Sequence, residues 1–143
     1  MVRKKSPKTG AEPLDFRRLT LRGSPNEYLV APPDLCREAE PHRPADVYDV
    51  ASAELRDALL HVISRHSRTE IRGMDEEAKA YEFVQYSPVL NFEDLISVRV
   101  IPQGHTHATL AIYSRSRTGY YDFGVNRKRI EAWLEELDGE IIR

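Results

Sequence analysis

Five cations crowd one short stretch of the chain in an electrostatically unusual order. Arg115 and Arg117 close an alternating apolar–polar run, and Arg127, Lys128 and Arg129 open the helical pattern that follows. A helix N-terminus already carries partial positive charge on its unpaired N–H groups, so each cation there costs about 0.3–1 kcal/mol. Two arrangements would offset that cost. In the first, guanidinium forks of Arg115, Arg117 and Arg127 hold a carboxylate or phosphate bidentately, with helix N–H donors assisting. Tyr120, Asp122 and Asn126 would then line the same groove as hydrogen-bonding groups, and Gly119 and Gly124 would let backbone approach closely. In the second, Asp122, Asp94 and Glu93 neutralise the arginines in a polar network that staples the last helix to a sheet. Both arrangements remain open at the level of sequence.

Other chemistries have weaker signals. Nucleophilic catalysis needs a Ser or Cys beside an activating base, yet no serine sits in a Gly-any-Ser-any-Gly elbow and no diagnostic motif surrounds Cys36. Asp122-Phe123-Gly124 spells the kinase metal motif without the glycine-rich or catalytic loops that accompany it. His105 and His107 alternate in an expected turn with no third ligand nearby, so neither a metal nor a cofactor is expected. Tyr113, Tyr120 and Tyr121 beside arginines have the composition of a single-strand stacking surface. The leading expectation is a non-enzymatic module whose arginine-rich groove binds a small anionic or amphipathic ligand or a protein partner. One alternative is an enzyme acting on an acidic small molecule, with Asp122 or a tyrosine moving a proton; another is a scaffold subunit engaging a partner through its N-terminal arm.

The chain has 143 residues, enough for one domain with a real core. Its net charge of -2 lacks the strong basic excess of a duplex-binding protein. One cysteine, Cys36, excludes an intrachain disulfide. No apolar run approaches the roughly 18–20 residues that span a bilayer, and the basic opening leads into Ala11-Glu12-Pro13 rather than an apolar signal core. A cytoplasmic location is expected; the oligomeric state is left open.

Seven of the nine prolines fall in the first 44 residues, which forbids a long regular element there. Residues 1–14 are expected as a flexible basic tail and 15–44 as a proline-rich extended arm, draped over the domain through Phe16, Leu19, Leu21, Tyr28, Leu29, Val30 and Leu35. Residues 45–143 are expected to form the α+β domain. Ser52 is an expected N-cap for a helix running to about Arg65, with Leu55, Leu59, Val62, Ile63 and His66 on one face. The period then changes to two over 69–72, 80–87, 95–101 and 108–117, giving an antiparallel sheet of about four strands. In the last of these Ala108, Leu110 and Ile112 face one way, and Thr109, Ala111, Tyr113, Arg115 and Arg117 face a wetter side. A final helix spans about 125–137 on an Ile130, Trp133, Leu134, Leu137 stripe. Both helices are expected on one sheet face.

The segment Arg115-Ser116-Arg117, then Gly119, Tyr120, Asp122, Gly124, Asn126, Arg127 and Arg129, resembles the bacterial and plastid domain-of-unknown-function family numbered 1499. Weaker similarity touches Phe92 and Asp94, and Ser24-Pro25-Asn26 is similar to that family's N-terminal motif. Where the family pattern continues into cysteine, this chain has Glu27. The resemblance spans roughly residues 23–137 and implies a fold and a site location without an activity.

Overall fold

The computed structural model describes residues 8–117 and 124–141. Strands β1 (Lys8–Gly10), β2 (Glu27–Ala31) and β3 (Arg43–Pro44) come first, with a single 3-10 turn at Phe16–Arg18 between β1 and β2. Helix α1 (Ser52–Ser64), strands β4 (Thr69–Asp75), β5 (Ala80–Tyr86), β6 (Glu93–Gln103) and β7 (His107–Ser116), and helix α2 (Val125–Ile141) complete the order. They build one mixed sheet in the order β1-β4-β5-β6-β7-β2-β3, antiparallel except for the β2–β3 pair. The sheet therefore exceeds the expected four or so strands. β2 pairs Glu27–Val30 along Arg115–Ile112 of β7, and β1 adds to the edge of β4. β2 escapes a period-two reading because all five of its residues are buried, so no apolar–polar alternation marks it.

Both helices lie on one face. Leu55, Leu59, Val62 and Ile63 of α1 and Ile130, Trp133, Leu134 and Leu137 of α2 share one buried cluster with Tyr28, Val30, Phe83, Ile96, Val98, Leu110 and Ile112 of the sheet. Each such side chain contributes about 1.5–3 kcal/mol on burial, so helix packing dominates the core. The opposite face is not left wet. Phe16, Leu19, Leu29, Ala31, Ala39, Ala111 and Tyr113 form a second buried cluster, flanked by Leu14, Leu21 and Leu35 from the N-terminal segment.

Three local expectations are corrected. Ala51, not Ser52, occupies the N-cap of α1, and no side chain caps that helix. His66 lies past the end of α1, tilted against the Trp133 ring at a centroid distance of 5.8 Å. α2 runs four residues beyond Leu137 to Ile141. Glycines facing each other explain how β1 reaches β4. A Cβ on Gly73 would lie 2.2 Å from the Ala11 carbonyl oxygen, and one on Gly10, at φ +73, only 1.9 Å from that of Arg72. Among the described residues no helix is long and apolar enough to cross a membrane.

Candidate functional site

The last turn of β7 and the first turn of α2 meet over a row of polar side chains. Register places Thr69, Gln85, Asp94 and Ser116 side by side across β4, β5, β6 and β7. Even-numbered residues of β7 face the helices, so Ser114 and Ser116 point toward α2. Asn126 is fully buried above them. Its Oδ1 accepts from Ser114 Oγ at 2.5 Å and from Arg129 Nη1 at 2.8 Å, while its Nδ2 donates to the Asn26 carbonyl and to Ser116 Oγ, both at 3.2 Å. Arg129 completes the assembly. Its Nε donates to Gln85 Oε1 at 2.7 Å, Nη1 to Ser114 Oγ at 2.9 Å and Nη2 to Asp94 Oδ2 at 2.8 Å.

The Arg129 and Asp94 side chains are each only 6% exposed. A buried pair of this kind is held by mutual attraction and by the hydrogen bonds that satisfy its remaining donors. The Arg129 charge in the first turn of α2 is thereby answered from the sheet rather than from the helix. Arg127 is 66% exposed and reaches Glu131 one turn later at 3.4 Å, a surface pair of modest worth. Glu131 also accepts from the Tyr28 hydroxyl at 3.0 Å. Lys128, exposed on the same turn, makes no ion pair among the described residues.

The expected arginine groove is not one groove. Arg115 faces the opposite side of the sheet, its guanidinium 4.8 Å from the centre of the Tyr113 ring and donating to Ser97 Oγ at 2.7 Å. Ser97 in turn donates to Glu82 Oε1 at 2.7 Å, and the Leu14 N–H donates to Glu82 Oε2 at 2.8 Å. Burial pushes the Glu82 carboxyl up, against the opposing hydrogen bonds of Ser97 and Leu14 and the Arg115 charge. Burial likewise pushes Arg115 down, against the Glu82 carboxylate. Arg117 is 63% exposed and pairs with Glu93 at 2.6 Å. Tyr120 and Asp122, like Gly119, lie outside the described residues. Of the expected site residues that are among those described, Asn126 alone is built into the helix-face network.

Glu27 anchors the N-terminal segment on the Arg115 side. Its carboxylate accepts from the Tyr113 hydroxyl at 2.6 Å and from the backbone N–H groups of Arg22, Gly23 and Ser24. Burial raises its pKa, but these four donors outweigh burial and hold it below the usual carboxylate value. Burial and the Glu27 carboxylate together push the Tyr113 phenol well up.

A cleft of about 310 Å³ opens beside the helix-face network, between the end of α1, the start of α2 and β5. Val125, Ala132 and Trp133 supply apolar wall, and His66, Gln85, Lys128 and Arg129 supply polar edge. His66 Nε2 is 3.1 Å from Glu136, and Gln85 donates to Thr69 Oγ1 at 2.7 Å, which orients both. Arg129 and Trp133 stand one turn apart along α2, a spacing that reads in the sequence as charge and core alone. A second cleft of similar size lies on the other face, between Glu12, Asp15, Arg17, Asp75 and Arg99. Among the described residues no group of three or more His, Cys, Asp or Glu could hold a metal ion, and His107 is 3.2 Å from Asp49.

A mixed sheet with two helices on one face, the second locked down by a buried arginine–aspartate–asparagine network, defines a single α+β domain. The chain belongs to the family described as protein of unknown function (DUF1499), whose model matches residues 20–137. No curated protein and no solved structure matches it.

Proposed function

We propose that the protein is a binding module that takes a small amphipathic anion in the cleft between α1, α2 and β5. The observation that carries this reading is Lys128, a cation without an ion pair among the described residues, on the edge of a cleft whose apolar wall is made by Val125, Ala132 and Trp133. A few convergent polar groups on a largely apolar recess are the usual composition of a small-ligand site. Gln85 and Arg129 are held rigid by the network beneath, so an anionic head paired with Lys128 would meet a preorganised wall at little entropic cost. Arg115, Arg117 and Arg127 already contact Ser97 and Tyr113, Glu93, and Glu131 respectively, which favours Lys128 over them as the cation that meets the anion.

Trp133 is the chain's single tryptophan, so occupancy of the cleft reads directly in its emission. Titration with an aryl sulfonate should change that emission saturably. Lys128→Glu should weaken binding by about tenfold, the equivalent of one lost charge-assisted contact. A non-saturable response, or equal affinity in the variant, would remove the cleft from consideration.

A further inference from the structure

The turn joining β5 to β6 is built against the ordinary rules for a solvent loop. Val89, Leu90 and Phe92 are 93%, 67% and 42% exposed, three large apolar side chains at one projecting tip. Val89 holds φ at +69° and Asn91 at +55°. For a β-branched residue that backbone is a genuine outlier, maintained only where surrounding bonds over-determine it. Among the described residues, bonds internal to the loop do this. Ser87 N–H donates to the Phe92 carbonyl at 2.9 Å, Leu90 N–H to that of Pro88 at 2.7 Å and Asn91 N–H to that of Ser87 at 3.2 Å. Phe92 N–H donates to Ser87 Oγ at 2.9 Å. Pro88 has no N–H to satisfy. The loop thus turns most of its backbone donors inward and its apolar side chains outward, the reverse of what water rewards and the arrangement that a non-aqueous medium demands.

Cations flank the tip. Arg68 donates to the Tyr86 carbonyl at 3.0 Å at the root of the loop, and Arg72 stacks over the Tyr86 ring at 5.9 Å. Arg117 stands on the other flank, its N–H bonded to the Glu93 carbonyl at 2.9 Å. Lys128 shares the neighbouring cleft with Gln85, one residue before Tyr86. Against these four, Glu70 pairs with Arg72 and Glu93 with Arg117, and Glu136 pairs with His66 at the neighbouring cleft. A convex tip of three residues offers far less than the roughly 800 Å² per partner of a stable protein interface. It is well shaped to enter the apolar boundary of a bilayer while its basic flanks meet anionic headgroups.

We infer that the β5–β6 tip, Val89-Leu90-Asn91-Phe92, is a peripheral membrane anchor that inserts into anionic lipid surfaces. The test uses the full chain and sedimentation with vesicles of phosphatidylcholine alone or with about a third phosphatidylglycerol, a composition chosen for its negative surface potential. Binding to the anionic vesicles, weakened by salt and absent from neutral ones, is the expected result. Leu90→Glu should reduce it at least about tenfold, since the leucine that enters the lipid is replaced by a charge, whereas Leu90→Ile should retain it. The side chain is mostly exposed, so both variants should keep the wild-type thermal unfolding and the Trp133 response to the aryl sulfonate. Failure to bind either vesicle, equal binding to both, or full binding by Leu90→Glu would overturn the inference.

Discussion

Two buried polar networks lie back to back across the sheet, each built around an arginine and a carboxylate, and they solve the same problem differently. On the helix face Arg129 touches Asp94 directly and spends its remaining donors on Gln85, Ser114 and Asn126. On the other face Arg115 meets Glu82 only through Ser97 and covers itself with the Tyr113 ring. The direct pair fixes both charges and leaves little freedom, which suits a contact that must set the angle of α2. The indirect one leaves Glu82 with a raised pKa, able to take up a proton if its partner is lost. Buried charge next to its counter-ion is structural cement, and buried charge one hydroxyl away is adjustable.

The largest expected effect lies in the direct pair. Asp94→Ala strands the Arg129 guanidinium in a buried site and should cost about 3–5 kcal/mol in urea unfolding. Arg115→Met should cost less at neutral pH, because Glu82 relieves its own burial by protonation. The sign of its pH dependence follows. A carboxyl whose folded pKa is raised is a liability above that pKa, and the liability shrinks as pH falls through it toward the unfolded value. The stability gap between Arg115→Met and wild type should therefore narrow on mild acidification, as read by unfolding midpoints between neutral and about pH 5. Glu27 behaves oppositely: its depressed pKa adds stability above the unfolded carboxylate value that is lost as pH falls. Glu27→Gln should flatten that acid limb.

Smaller effects sharpen the contrast between charges that are paired and those that are not. Val89→Gly should raise stability by about 1 kcal/mol, since glycine adopts positive φ without the β-branched penalty. Lys128→Glu should raise it by about 0.3–1 kcal/mol, because a carboxylate suits the first turn of a helix and Lys128 has no ion pair among the described residues to lose. A loss of stability in that variant would show that Lys128 belongs to the lock.

Much of the scaffold was legible because its periods are clean. The stripe Leu55, Leu59, Val62, Ile63 and the alternation through Leu110 and Ile112 specify a helix and a strand with their buried faces. β2 was harder, since the run Glu27–Ala31 is buried on both sides and sits among prolines. Strand parity already separates the arginines of the expected groove from the helix face. Arg115 and Arg117 alternate with Leu110 and Ile112, so they point away from the face the helices need, and no property of the final helix brings them to it. Asn126 and Arg129, three apart on α2, share a face, and that spacing was the available signal. Asp94 and Gln85 could not be found the same way, because their meeting with Arg129 depends on strand register, set by pairings far apart in sequence.

The claim on which the rest depends is that Arg129 and Asp94 act as one buried unit holding α2 to the sheet. A double-mutant cycle of Asp94→Ala and Arg129→Met, measured by urea unfolding, isolates their coupling. Coupling of about 2 kcal/mol or more, with the double variant more stable than Asp94→Ala alone, is the predicted result. Additive losses, with coupling within about 0.5 kcal/mol of zero, would contradict it and leave the basic first turn of α2 without a structural explanation.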